Sequence, residues 1–211
     1  LHLGLSYTPI GIQEVLTGKN KMTDGLVIHP LTGLRVLPAS LKYKPDTSLK
    51  NLKTVLKQLS AYDYVIVDSP PGITEDVENI IAACDKVVIV TTADIPSITS
   101  ASKIVSLCAA VKTSVLGIIV NRITNATYEL SNKEIETMSE VKTLCDIPED
   151  EHVPASIAAR LPVVLYKPQS IASQKLKLCT LLITGVTPEE IKSQSIFSKL
   201  IDAIKKILRL S

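Results

Sequence analysis

Apolar residues along this chain fall into two alternating rhythms. Short β-branched runs give way to longer stretches in which apolar positions recur every three or four residues. Val65-Ile66-Val67 is a run of the kind that fills a buried parallel strand. Asp68 ends it, and Pro70, Pro71 and Gly72 forbid its continuation. Residues 86–91 (KVVIVT) and 115–120 (VLGIIV) read as two further buried strands, and 144–147 as a candidate fourth. Two weaker strand-like runs, 26–28 and 34–37, stop at Pro30 and Pro38. Helices are predicted over 12–16, ended by Gly18, and over 75–83, 97–110, 132–141, 152–160 and 170–184. Ser48 opens another, with Leu49, Leu52, Val55, Leu56 and Leu59 on one face. Lys50, Lys53 and Lys57 occupy its other face and read as solvated. Residues 162–168 read as an extended loop.

Strands alternating with helices of this length predict an α/β fold: a mostly parallel sheet flanked by helices. Parallel strands end on one edge of their sheet, where open α/β folds bind ligands. The ends here carry Asp68, Thr91-Thr92, Asn121-Arg122 and Glu149-Asp150. An acid, hydroxyls, an amide and an arginine together suit a nucleotide and its metal ion. The carboxylate fits a hard cation, and the amide's paired donor and acceptor fit an adenine edge.

Composition narrows the field. With 45% hydrophobic residues the chain can bury a full core, and with 3% aromatics that core is aliphatic, as a parallel sheet requires. A formal charge of +2 is too small to imply nucleic acid. Cys84, Cys108, Cys145 and Cys179 make no C-x-x-C spacing, which argues against zinc and reads as buried free thiols. His2, His29 and His152 stand alone, so surface or loop positions are expected for them. There is no G-x-S-x-G elbow, and no base is evident to activate Ser69. No apolar run approaches the ~20 residues that span a bilayer.

The ordered segments GLRVLPAS (33–40), YDYVIVDSPPG (62–72), VIVTTADIPSITSASKI (88–104), LGIIVNR (116–122), IPED (147–150) and PVVLYKPQS (162–170) resemble the MinD/ParA family of deviant phosphate-loop ATPases, and within it the archaeal MinD-like proteins. The resemblance implies the nitrogenase iron protein-like P-loop fold over residues 1–185. It implies an ATP-dependent homodimer, using ATP and Mg2+, that acts as a cytoplasmic spatial switch with a regulator or cargo protein. Asp68 matches the acid that positions magnesium, and Gly72 the switch glycine near the γ-phosphate. Asn121 and Arg122 match the adenine-recognition pair. Pro148, Glu149 and Asp150 match the loop over the base. Asp94, Pro96 and Ser97 match the loop beside the dimer partner and regulators. The family's opening G-K-G-G-x-G-K-T loop and its D-x-D strand have no counterpart in this sequence. The chain therefore reads as an N-terminally truncated member, inactive on its own. In the family's strand order the two missing strands flank residues 64–67. That segment is expected to lie unpaired on both sides, with 34–37 beyond it and only the three later strands continuous. Such a chain is expected to be unstable as a monomer and a poor binder of ATP.

Residues 186–211 form a second unit in the pattern. After a helix start at Thr187-Pro188-Glu189-Glu190, Ile196, Phe197, Leu200, Ile201, Ile204, Ile207 and Leu208 share one helical face. Ser198, Lys199, Asp202, Lys205, Lys206 and Arg209 share the other. A basic amphipathic helix at a chain end reads as an anchor to the cytoplasmic face of a membrane, against a core-packed last helix. The competing functions are a DNA or cargo partition ATPase of ParA type and a non-catalytic interaction protein derived from the family.

Overall fold

The computed structural model describes residues 3–5, 8–40 and 47–185. Its N-terminal part is built from short elements: α1 (Ile12–Leu16), α2 (Met22–Gly25), and the two-residue strands β1 (Val27–Ile28) and β2 (Arg35–Val36), paired antiparallel. The predicted helix from Ser48 is broken into α3 (Leu52–Leu56) between two 3-10 turns, Leu49–Asn51 and Lys57–Leu59. Leu52 and Val55 of that segment still face inward, packing with Val15, Leu16, Met22 and Ile80.

Residues 64–67 do not form a strand. Tyr64, Val65 and Ile66 are 59%, 42% and 92% exposed, and only Val67 leans on the N-terminal core. A β-branched run becomes a strand only when a ladder partner lies about 4.8 Å away. Among the described residues this run has none.

The rest of the chain follows the predicted alternation. Helix α4 (Glu75–Ala83) is capped by Thr74 and leads to β3 (Lys86–Thr91). Asp94 then caps α5 (Ile95–Ala110), in which Pro96 sits at the first turn, where its missing N–H is not needed. Strand β4 (Ser114–Ile123) follows, then α6 (Asn132–Ser139), which opens with a reciprocal Ser131–Glu134 capping box. Strand β5 (Thr143–Pro148) and α7 (His152–Ala158) come next. Residues 163–166 are not extended but make a short helix, α8 (Val163–Tyr166), whose N-cap Pro162 accepts from Leu165 N and Tyr166 N through its carbonyl. The last described element is α9 (Ile171–Thr184), closed by Gly185 in the left-handed region at φ 68°.

The continuous sheet is β3-β4-β5, parallel throughout. Alternation along β4 sorts its side chains between two layers. Ile118 and Val120 join Ile89, Ile98, Ala101 and Ile135 under α5 and α6, whereas Ile119 joins Cys145, Ile147, Ala172 and Cys179 under α9. A smaller cluster of Val77, Ile81 and Cys108 fastens α4 to α5. The outer edge of β3 carries no strand among the described residues, and Val90 on it is 62% exposed.

Candidate functional site

Parallel pairing of β3, β4 and β5 brings Thr91-Thr92, Asn121-Arg122 and Pro148-Glu149-Asp150 to one edge of the sheet. Asn121 stands opposite Ile147, and Ile123 opposite Pro148. The Asn121 side chain is half-buried and makes no hydrogen bond among the described residues, so its amide is free for a ligand. Arg122 follows in the left-handed region at φ 61°, a conformation uncommon for a non-glycine residue and frequent at functional sites. Its Nε donates to Glu149 Oε2 at 2.7 Å, an exposed pair that ties the end of β4 to the loop after β5 and pushes the guanidinium pKa further up. The Glu149 N–H donates to Ile123 O at 2.9 Å and closes the same join through the backbone.

Glu129 fixes the loop leaving β4. Its carboxylate accepts from Thr124 N at 2.9 Å, Thr124 Oγ1 at 2.8 Å and Ala126 N at 3.2 Å. These donors, the Thr124 N–H foremost, hold its pKa below the ordinary range. Leu130 N then donates to Ala93 O, tying that loop to the end of β3. Sequence reasoning missed Glu129. Its only signal was a carboxylate placed to cap the Thr124-Asn125-Ala126 turn.

Asp150 turns into the protein. Its Oδ2 accepts from Ala172 N at 3.0 Å, and its Oδ1 from His152 N at 2.9 Å, with His152 Nδ1 2.7 Å away. The Ala172 N–H, then the His152 N–H, hold this carboxyl well below the usual carboxylate range against the opposing effect of burial. Asp150 thus satisfies an orphan donor in the first turn of α9, while Ser170 caps that helix through Ser173 N. Whatever the 148–150 loop offers a ligand comes from Pro148, Glu149 and the backbone.

Asp94 is likewise occupied. Its Oδ1 accepts from Ser97 N at 2.9 Å, and Thr92 Oγ1 donates to its other oxygen. The Thr92 hydroxyl, then the Ser97 N–H, lower its pKa. Thr92 also lies 2.8 Å from Ser97 Oγ, so the end of β3 and the first turn of α5 form one polar cluster, with Pro96 exposed beside it.

Asp68 lies outside the three-stranded ladder, exposed and without an ion pair or hydrogen bond among the described residues. Gly72 takes φ 95° in open space, so a side chain there would be refused by the backbone rather than by a neighbour. The membrane-anchor residues from Ile196 to Arg209 lie outside the described residues. His29 sits in the β1–β2 turn, a loop position as expected, but is buried at 2% exposure with its Nδ1 2.8 Å from Thr32 Oγ1. One expectation is corrected. Cys145 and Cys179 are not free thiols but a disulfide between β5 and α9, while Cys84 and Cys108 remain free.

The family model of ParA, described as NUBPL iron-transfer P-loop NTPase, matches residues 47–183. Two uncharacterized ATP-binding proteins of Methanocaldococcus jannaschii are each 32% identical to this chain, over 97% and 94% of it and 79% and 77% of themselves. The chain belongs to the MinD/ParA family of P-loop ATPases. The septum site-determining protein MinD of Thermotoga maritima is 27% identical over 91% of this chain and 74% of its own length. Among solved structures, the cell division ATPase MinD of Pyrococcus furiosus superposes with a TM-score of 0.83 at 23% identity, covering 89% of this chain and 80% of that one. MinD of Pyrococcus horikoshii, complexed with Mg-ADP, gives 0.78 at 24% identity over 84% and 75%. These likenesses fix the α/β fold of the MinD/ParA type. Among the described residues, no helix is long and apolar enough to cross a membrane.

Proposed function

We propose that this protein is a MinD-like spatial regulator whose polar strand edge takes an adenine nucleotide, and which cycles between cytoplasm and membrane as an ATP-dependent dimer. The observation that carries the reading is the meeting of Asn121, Arg122 and Glu149 on one edge, with the Asn121 amide unused by the protein. Asn121 would pair with the adenine edge, and the Arg122–Glu149 bridge with Pro148 would wall the base in. Asp68, free and exposed, is the residue for Mg2+, beside Gly72 for the γ-phosphate. The phosphate end fits less well. No G-x-x-x-x-G-K-S/T pattern occurs in the sequence, so its own residues offer no loop of N–H groups and no lysine for a triphosphate. We assign this chain the base-binding half of a nucleotide site and derive no hydrolytic step from it.

Asp94, Pro96 and Ser97 form the surface offered to a dimer partner or to a regulator. Membrane attachment rests on the sequence of residues 196–209, whose apolar positions recur at helical spacing opposite Lys199, Lys205, Lys206 and Arg209. One such helix binds weakly, and a dimer presenting two binds far more firmly. Flotation with anionic liposomes, comparing the full chain with one ending at Gln194, tests this. The full chain should float and the shortened one should not. Equal flotation removes the membrane half of the proposal, and salt-sensitive retention on DNA would replace it with a partition role.

A further inference from the structure

Strand β5 and helix α9 are held together at two places. At one end Asp150 accepts from Ala172 N, and at the other Cys145 and Cys179 are bonded, with Cα atoms 5.8 Å apart. Ile147 and Leu176 belong to the same apolar cluster as Cys145, Ala172 and Cys179. Cys179 lies seven positions after Ala172, two turns along α9, so the pair of ties fixes both where the helix starts and how it is rotated.

The surroundings of Cys145 accommodate both oxidation states. Its Sγ lies 3.5 Å from Lys175 O and 3.8 Å from Asp146 O, so a thiol there would find an acceptor without repacking. Both residues are buried: Cys145 is 8% exposed and Cys179 2%. The two remaining cysteines have no partner sulfur, and burial pushes both thiols up, Cys84 with help from Asp85, which suppresses their thiolates.

We propose that Cys145 and Cys179 are a reversible thiol–disulfide site that locks and unlocks α9 on the sheet, exchanging with small dithiols and disulfides when the helix lifts. In the locking direction the Cys145 and Cys179 thiols reduce one small-molecule disulfide. The protein S–S bond forms, the small molecule's S–S bond breaks, and its two sulfurs leave as thiols carrying the two cysteine protons. Unlocking is the reverse with a dithiol. Burial sets the order of events, because an attacking thiolate reaches either sulfur only after α9 has moved away from β5.

The test uses the full chain without nucleotide, so it stands apart from the proposal for the strand edge. The protein is equilibrated in mixtures of reduced and oxidised dithiothreitol, quenched with acid, alkylated in denaturant and mapped by peptide mass spectrometry. The cross-linked 145–179 peptide should rise and fall with the mixture while Cys84 and Cys108 are alkylated throughout. Amide exchange in residues 171–184 should quicken at least tenfold on reduction, with 95–110 unchanged. Cys145→Ala and Cys179→Ala should each show the fast exchange of α9 in both mixtures. Should either variant fail to fold, the reduction experiment on the unaltered chain stands by itself. A 145–179 fraction that ignores the mixture, or α9 exchange equal in the two states, overturns the proposal.

Discussion

Gly117 occupies the middle of β4, and a Cβ built there would lie 2.4 Å from Leu144 Cγ on β5. Real Cβ atoms do not approach that closely, so the Leu144 side chain holds its place against β4 only because residue 117 has no side chain. Gly117→Ala should destabilise the protein by about 1–3 kcal/mol through overpacking. Urea unfolding measures it, and adding Leu144→Ala should recover part of the loss. Two carboxylates make a second prediction. Lys142, then the N–H and hydroxyl of Thr143, depress Glu136 from 4.5 to about 2. A group lowered in the folded state contributes stability that is complete above its unfolded pKa and lost as pH falls through its folded one. The Glu136 contribution is therefore present above pH 4.5 and fades toward about 2. Asp150 has the same sign but a window reaching lower, since its pKa is held further down. Thermal unfolding followed from pH 6 to 2 should show Tm falling mostly below 4.5, with Glu136→Gln flattening the upper part of that fall. A pH-independent Tm would contradict both assignments. Neither partner set was visible in the sequence, because Thr143 and Ala172 are distant donors that only the fold delivers.

At the scale of elements, the pattern of Lys86–Thr91, residues 115–120 and 144–147 predicted the three strands that form, and the helices over 75–83 and 170–184 fell within a residue of those found. Their signals are local: β-branched runs, caps and helical periodicity. What local pattern cannot supply is a neighbour, and the family's strand order, with its two flanking strands missing here, foretold that 64–67 would lie unpaired and that only the three later strands would be continuous, as found. Residues 64–67 read as a buried strand by composition, yet strandedness needs a ladder, and none of the described residues supplies one. Of the site, the strand ends Thr91-Thr92, Asn121-Arg122 and Glu149 were legible, because parallel pairing alone collects them. The inward turn of Asp150 was not, because it depends on where α9 begins. The disulfide was equally hidden, since its cysteines are 34 residues apart. Closing a loop of that length should stabilise the folded chain by about 3–4 kcal/mol. Denaturant unfolding of oxidised against reduced protein should show that difference. A gap of less than about 1 kcal/mol would mean that the unfolded chain gains little freedom on reduction.

For the molecule as a whole, the exposed apolar run at 64–66 and the outer edge of β3, unpaired among the described residues, are the surfaces most prone to pairing with another chain. A chain of this sequence should self-associate with rising concentration in analytical ultracentrifugation, and Ile66→Lys should shift it toward monomer. Unchanged association would clear residues 64–66 of that role. The central claim concerns the opposite kind of surface, the polar edge built for a base. Its most direct test is amide NMR of the chain titrated with Mg-ADP, followed by the same titration of Asn121→Ala. The account predicts base-dependent shifts at Thr91-Thr92, residues 121–125 and 148–150, with a separate response to Mg2+ around Asp68, saturating weakly because no phosphate loop contributes, and the base-edge shifts lost in the variant. Shifts absent at that edge, or unchanged by Asn121→Ala, would contradict it.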